Sequence, residues 1–120
     1  VPREQRLQAA ALLGEGWLGH PSCTGPTILT GDFNANDTTP TIKALKEAGW
    51  KDTFEAVHGD EDAGSTFHGF RPPKPPERDV QIDWVFYRGQ VKPIAAKVIW
   101  DKVDGHFPSD HLFVSADVVI

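Results

Sequence analysis

The chain has 120 residues, of which 39% are hydrophobic, and its 12 basic and 17 acidic side chains give a formal net charge of −5. This length suits one small domain or part of a larger one, and the acidic balance disfavours non-specific binding of long nucleic acid. The single cysteine, Cys23, excludes an intrachain disulfide and a cysteine-based zinc site, and no apolar run is long enough to span a membrane. The first residues predict no signal peptide, and the compartment stays open.

The first part of the chain predicts two helices separated by a short strand. Residues 2–13 favour a helix, because apolar residues including Leu7 recur on one of its faces. The apolar run 27–30, bounded by turn residues, predicts a short buried strand. Residues 39–49 predict the clearest helix, since a capping threonine and a proline open it and a glycine closes it.

The second part of the chain predicts loops followed by three strands. Residues 55–66 are polar and loop-like, and the proline-rich residues 71–79 predict an exposed loop because proline lacks the backbone donor. Strands are predicted over 80–87, 91–100 and 112–120, where the side chains alternate in character. In the first of these strands, large aromatic residues share one face and an aspartate lies on the other.

The segment after the first strand contains an acidic and an amide side chain two residues apart, Asp32 and Asn34. If the chain stays extended, both point the same way, so the carboxylate can hold or deprotonate a water while the amide binds a phosphate oxygen or a metal. A strand-to-helix turn, where Asp and Asn are common, explains the same residues without a function. A calcium-binding EF-hand loop is excluded, because Asp37 and Lys43 occupy the positions that require glycine and glutamate.

Asp110 and His111 are adjacent, just before the last predicted strand. A carboxylate ligand beside an imidazole that binds a phosphoryl group or relays a proton is a reasonable catalytic pair, and a loop with a surface histidine is the alternative. Asp83 lies inside an apolar strand, where a buried carboxylate needs a partner. A histidine is the natural partner, since the carboxylate would orient the ring and stabilise its charged form. A solvent-facing position at a sheet edge is the alternative for Asp83.

Two further residues are candidates for substrate contact. His68 and Arg71 lie in a loop whose other residues include aromatic side chains, and binding residues are often carried on loops. An ordinary position in a surface loop is the alternative for His68. The sequence contains no nucleophile elbow, phosphate-binding P-loop or dinucleotide fingerprint.

The order of these motifs is more specific than any one of them. Gly-Asp-Phe-Asn at 31–34, Ile-Asp-Trp-Val-Phe at 82–86 and Ser-Asp-His at 109–111 together resemble the endonuclease/exonuclease/phosphatase superfamily. That superfamily includes type I deoxyribonuclease, abasic-site endonucleases and neutral sphingomyelinases. The Thr-Phe-His-Gly-Phe run at 66–70 is similar to a bacterial branch described as metal-dependent hydrolases.

The resemblance implies a divalent-metal-dependent phosphoester hydrolase of the phosphodiesterase, nuclease or phosphatase type, in which water attacks phosphorus in line. Asp32 would position or deprotonate that water and also touch the metal, and Asn34 would bind a phosphate oxygen or support the metal. Asp110 would be a metal ligand, and His111, oriented by Asp83, would contact the scissile phosphate or act as the base. Mg²⁺ or Mn²⁺ is the expected cofactor, because the implied ligands are mostly oxygen atoms. Nucleic acid, a lipid headgroup and a sugar phosphate all stay open as the substrate.

The resemblance also implies an incomplete domain. The family domain is considerably longer, and its first half contributes a metal-binding glutamate and a histidine that have no counterpart here. We therefore expect residues 1–120 to form the C-terminal half of an α/β (α+β) domain, which is half of a four-layer sandwich with one mixed, mostly antiparallel sheet and flanking helices. A second copy of the chain, or the missing N-terminal half, would cover its exposed apolar face. A non-catalytic binding or assembly module that retains the fold is the alternative function.

Overall fold

The computed structural model describes residues 2–70 and 81–120, so the predicted proline-rich loop 71–79 lies outside the described residues. The described residues form three helices and five strands. In chain order these are α1 (Pro2–Leu13), β1 (Thr27–Asp32), α2 (Pro40–Glu47), β2 (Lys51–Asp52), α3 (Thr53–His58), β3 (Asp83–Arg88), β4 (Lys92–Ile99) and β5 (Phe113–Val119). Within the described ranges, no helix combines the length and the apolar character that crossing a membrane requires.

The five strands form two antiparallel sheets. In the first sheet β3 lies between β1 and β2, and in the second β4 pairs with β5. The predicted α/β class with antiparallel strands is confirmed. The prediction of a single sheet is wrong, because among the described residues β4 and β5 pair with each other and not with β1, β2 or β3. The start of β5 reaches this sheet through Thr66, whose carbonyl accepts a hydrogen bond from Leu112 N (2.8 Å) and whose hydroxyl accepts one from Ile82 N (2.9 Å).

The core lies between β3 and α2. Trp84 and Phe86 alternate onto one face of β3, where their rings stack with centroids 5.4 Å apart, and both are buried together with Ile42 and Leu45 of α2. The Trp84 indole Nε1 donates a hydrogen bond of 2.9 Å to the carbonyl of Ala35, which satisfies its polar group inside the core. Because side chains of a strand alternate between faces, anchoring Trp84 in the core directs the preceding residue of β3 to the opposite side.

The first two helices form where the sequence predicts them. Helix α2 is followed by Gly49, whose φ of +95° suits glycine, and Trp50 N then donates back to the Leu45 carbonyl (3.1 Å). Thr39 is the N-cap residue, but its hydroxyl donates to the Asn36 carbonyl and makes no side-chain cap bond to the helix. In α1 the predicted apolar face is wrong in detail, because Leu7 is exposed while Ala9 is buried.

A third helix occupies part of a segment that the sequence analysis assigns to a loop. Residues 53–58 form α3, so the loop prediction for 55–66 is wrong over 55–58. The Asp52 carboxylate caps this helix by accepting a hydrogen bond from Phe54 N (3.0 Å). At the other end, His58 Nε2 lies 2.6 Å from the Ala96 carbonyl of β4. The local cap and the tertiary contact with β4 together stabilise a helix that is too short to be stable alone.

Candidate active site

Two carboxylates lie side by side on neighbouring strands. Strand β1 extends beyond its predicted end at residue 30 and reaches Asp32, which is in register with Asp83 at the start of β3. Asp83 is the residue before the core-anchored Trp84, and its side chain therefore lies on the face opposite the core. Strand pairing thus brings together two acidic residues that are 51 positions apart in the sequence.

His111 lies between these two carboxylates. Its Nδ1 is 2.8 Å from Asp83 Oδ2, and its Nε2 is 3.7 Å from Asp32 Oδ2. The Asp83 side chain is 19% exposed, that of His111 26% and that of Asp32 39%, so the cluster opens to solvent on the Asp32 side. Since a carboxylate only accepts hydrogen bonds when ionised, Nδ1 carries a proton and Asp83 fixes both the orientation and the tautomer of the ring.

The pKa of His111 is raised above its ordinary value, chiefly because the ring hydrogen-bonds to the Asp83 carboxylate. Burial opposes this increase, while the negative charges of Asp83, Asp32 and Asp110 add to it. The charged imidazolium is therefore favoured. With Nδ1 held by Asp83, the remaining N–H at Nε2 can donate a hydrogen bond or a proton to a group bound on the Asp32 side.

Three residues that the sequence analysis did not single out hold this arrangement in place. The Phe67 ring packs against the His111 ring with centroids 5.1 Å apart, and the two residues form an antiparallel bridge. Ser109 Oγ accepts a hydrogen bond from His111 N (3.1 Å). The Thr66 hydroxyl accepts one from Asp83 N (3.2 Å). Thr66 and Phe67 belong to the Thr-Phe-His-Gly-Phe motif and Ser109 to the Ser-Asp-His motif, so the motifs of the family resemblance contain all three supports.

Asn34 contributes to the cluster differently from the prediction. The chain does not stay extended after Asp32, because Asn34 has a positive φ of 48°, a conformation that asparagine tolerates better than most residues. Its backbone N donates to Asp32 Oδ1 (2.8 Å), so the Asp32 carboxylate closes a local turn over its own strand end. This bond holds Asp32 Oδ1 in place, and the Asn34 residue is exposed.

The remaining predicted site residues lie beside the cluster. The Asp110 carbonyl accepts hydrogen bonds from His68 N (2.9 Å) and Gly69 N (3.2 Å), so the loop carrying His68 is tied directly to the residue before His111. The Asp110 carboxylate raises the pKa of His111 by its charge, but it does not belong to the group formed by the three clustered side chains. Arg71 lies outside the described residues.

The donors in this cluster suit a hard divalent cation. Asp32, Asp83 and His111 each offer one ligand atom, and these atoms all lie within 4.8 Å of one another. Two of these three atoms are carboxylate oxygens, which are the ligands that hard divalent cations prefer. Because Asp83 and His111 Nδ1 are occupied with each other, Asp32 is the member best placed to hold a cation.

Comparison with known proteins identifies the family to which this cluster belongs. The sequence profile of the Endonuclease/Exonuclease/phosphatase family matches residues 1–111. The chain belongs to this family. The resemblance drawn from the order of the sequence motifs is thereby confirmed. Among curated proteins, none shows a significant match to this endonuclease/exonuclease/phosphatase chain.

Solved structures share its fold. A functionally unknown conserved protein from Enterococcus faecalis V583 superposes with a TM-score of 0.82 at 24% identity, covering 99% of this chain and 45% of that chain. The endonuclease/exonuclease/phosphatase from Bacteroides vulgatus gives 0.78 at 23% identity, with coverage of 99% and 45%. A mannosyl-6-phosphatase from Bacteroides thetaiotaomicron VPI-5482 gives 0.66 at 25% identity, with coverage of 98% and 43%. The chain therefore spans less than half the length of these relatives.

Proposed function

We propose that this chain carries part of the active site of a divalent-metal-dependent phosphoester hydrolase. The observation that supports this most strongly is the His111 ring between two carboxylates, with Nδ1 2.8 Å from Asp83 and Nε2 3.7 Å from Asp32. A ring oriented by one carboxylate and open at its other nitrogen is a general acid–base arrangement. Membership of a family of nucleases and phosphatases makes phosphorus the expected centre of attack.

In the proposed reaction, water attacks phosphorus in line, the bond from phosphorus to the ester oxygen breaks, and the leaving alkoxide takes a proton from solvent. Asp32 orients the attacking water and accepts its proton, because its carboxylate is the more solvent-exposed of the two. His111 donates from Nε2 to a phosphoryl oxygen, where its positive charge stabilises the charge that develops there. Asp83 is a positioning residue that acts through His111. The Asn34 amide donates to a second phosphate oxygen at the open side of the cluster.

The proposed cofactor is Mg²⁺ or Mn²⁺, which Asp32 and Asp110 would hold. When bound, such an ion supplies Lewis-acid stabilisation of negative charge on the phosphoryl group. Three carboxylates around one imidazolium leave the site with a net negative charge, which favours a cation. The roles of Asp110 as a ligand, and of His68 and Arg71 in binding substrate, are part of this proposal.

A phosphomonoester on a small alcohol is the substrate that we favour. One of the structural relatives is a mannosyl-6-phosphatase, and the formal net charge of −5 disfavours long nucleic acid as a ligand of this chain. A nuclease or phosphodiesterase activity is the competing possibility within the same chemistry.

A second proposal, a non-catalytic assembly module, is favoured by a different observation. The sheet formed by β4 and β5 has two strands, and apolar side chains including Ile94, Phe113 and Val119 are exposed on it. Two-stranded sheets are marginal alone, and the structural relatives contain more than twice the length of this chain. We therefore propose, as the alternative to catalysis, that a second copy of the chain or an additional polypeptide covers this sheet and that the chain serves in assembly.

Both proposals are tested by measuring hydrolysis of an aryl phosphodiester and an aryl phosphomonoester by the purified chain in Mg²⁺, Mn²⁺ or EDTA, together with its solution mass. His111→Ala is the test variant, and His20→Ala is the matched control because His20 is exposed and hydrogen-bonds only within its own turn among the described residues. Turnover that requires the metal and is lost in His111→Ala alone supports the hydrolase. A folded chain without turnover favours the assembly module, and turnover unaffected by His111→Ala contradicts the site assignment.

A further inference from the structure

Four rings form an aromatic face, defined here as His68, Phe70, Trp100 and Phe107. The His68 ring packs against Phe107 with centroids 4.4 Å apart and against Phe70 at 5.3 Å. Trp100 extends the set, with its ring 6.2 Å from that of Phe107. The Phe70 side chain is 67% exposed and that of Trp100 54% exposed. The cluster therefore presents large flat surfaces to solvent, which packing for stability alone does not require.

The aromatic face is joined to the candidate active site on two sides. His68 N and Gly69 N both donate to the Asp110 carbonyl, so this loop is fixed to the residue that precedes His111. Phe107 belongs to the segment that leads into the same residues. Phe67, the neighbour of His68, packs its ring on His111 itself. The loop that carries His68 and Phe70 is therefore attached to the chain segment that carries His111.

Phe70 is held in a conformation that a bulky residue rarely adopts. Its φ is 58°, in the left-handed region, and its backbone N donates to His68 Nδ1 (2.9 Å). Since Nδ1 accepts this bond, the neutral His68 ring carries its proton on Nε2, which is buried and makes no hydrogen bond among the described residues. Backbone strain combined with an exposed aromatic side chain is more typical of a binding site than of a folding requirement.

We infer that the aromatic face binds a ring in the alcohol part of the substrate, such as a pyranose or a nucleobase. This inference rests on the proposed function, because the phosphoryl group must lie at His111 for the ring to reach the face. Aromatic side chains stack on flat ligand surfaces. Lys102, whose Nζ lies 4.7 Å from the Phe107 ring centre, supplies a positive charge beside the face.

The test is a binding experiment by NMR, because the chain has four tryptophans and therefore four indole N–H resonances. The chain is titrated, in Mg²⁺ and in EDTA, with mannose 6-phosphate, adenosine 5′-monophosphate and glycerol 3-phosphate, which has no ring. We expect the Trp100 resonance to shift with one of the two ring-bearing probes and not with glycerol 3-phosphate. The probe that acts identifies the ring. Equal shifts for all probes, no shift, or a shift only with dodecylphosphocholine micelles, which mimic a lipid surface, would overturn the inference.

Variants give a second, independent readout. Trp100→Ala should weaken binding of the active ring-bearing probe by about five- to tenfold, as expected for loss of one stacking contact, and Trp100→Phe should restore most of it. Trp17→Ala is the matched control, since Trp17 is 70% exposed and belongs to the turn after α1. An equal loss of binding for glycerol 3-phosphate would show that Trp100 acts only on folding. If the chain lacks hydrolytic activity but these binding differences persist, the proposed chemistry fails while the inference stands.

Discussion

Replacing Asp83 by asparagine tests the central relation in the candidate site. The Asp83 carboxylate lies 2.8 Å from His111 Nδ1, is 19% exposed and is the main reason why the pKa of His111 is raised. Asparagine keeps the size of the side chain and an acceptor oxygen but removes the negative charge. A hydrogen bond to a charged group contributes about 1.5–3 kcal/mol. If His111 acts as proposed, kcat/KM should therefore fall by about 10- to 150-fold.

Asp83→Asn should also shift the pH dependence of kcat/KM, and the pKa of His111 sets the direction of that shift. Loss of Asp83 lowers the pKa of His111, because its largest favourable contribution disappears. The protonated ring is present below that pKa, so the limb of the pH profile that reports loss of this proton should move to lower pH in Asp83→Asn. The assay is kcat/KM against pH for an aryl phosphoester, with the histidine ring protons followed by NMR in the same variant.

A matched control separates this effect from loss of folding. Asp117→Asn removes one carboxylate from an exposed position on β5, and it should leave both the rate and the pH profile unchanged. The reasoning is refuted if Asp83→Asn folds normally and retains both the wild-type rate and the wild-type pH profile. It is also refuted if the His111 titration moves while the rate does not, since His111 would then have no part in the chemistry.

Three further predictions concern the metal dependence that Asp32 confers, the effect of pH on stability through Asp52, and the glycine that follows α2. Asp32→Asn should abolish any difference in activity between Mg²⁺ and EDTA, because Asp32 is the proposed ligand in the cluster; isothermal titration with Mg²⁺ should show weaker binding. Burial raises the pKa of Asp52, so its contribution to stability is present at low pH and is lost as the pH rises through that raised pKa. Asp52→Asn should therefore be more stable than the wild type in urea unfolding at pH 7, with the difference vanishing in acid; a constant difference across pH would contradict this. Gly49→Ala should lower the free energy of unfolding by about 1 kcal/mol, because φ at this position is +95°. Gly16→Ala is the control and should not lower it. An added Cβ at Gly16 meets nothing within 4 Å, and φ there is not in the left-handed region.

Local chemistry in the sequence is sufficient to predict α2 and the orientation of β3. A proline near the start and a glycine beyond the end define α2 because each restricts or permits particular backbone angles within one turn. Alternation along β3 predicts which face carries Trp84 and which carries Asp83, because this alternation is a property of the extended backbone itself. The order of three short motifs also predicts the family, which the match over residues 1–111 confirms.

The geometry of the candidate site is decided by the tertiary structure. Asp83 and His111 are 28 positions apart, and their contact exists because the segment at Thr66 and Phe67 hydrogen-bonds to both of their chain segments. The turn at Asn34, which replaces the predicted extension, is by contrast local, because the Asp32 carboxylate accepts its hydrogen bond from a backbone N two residues later. The separate motifs do not determine the distance between Asp83 and His111. Chain segments far apart in sequence meet only when strand pairing and core packing bring them together. The sequence by itself therefore determined which residues are available for chemistry, and the fold decided which of them share one site.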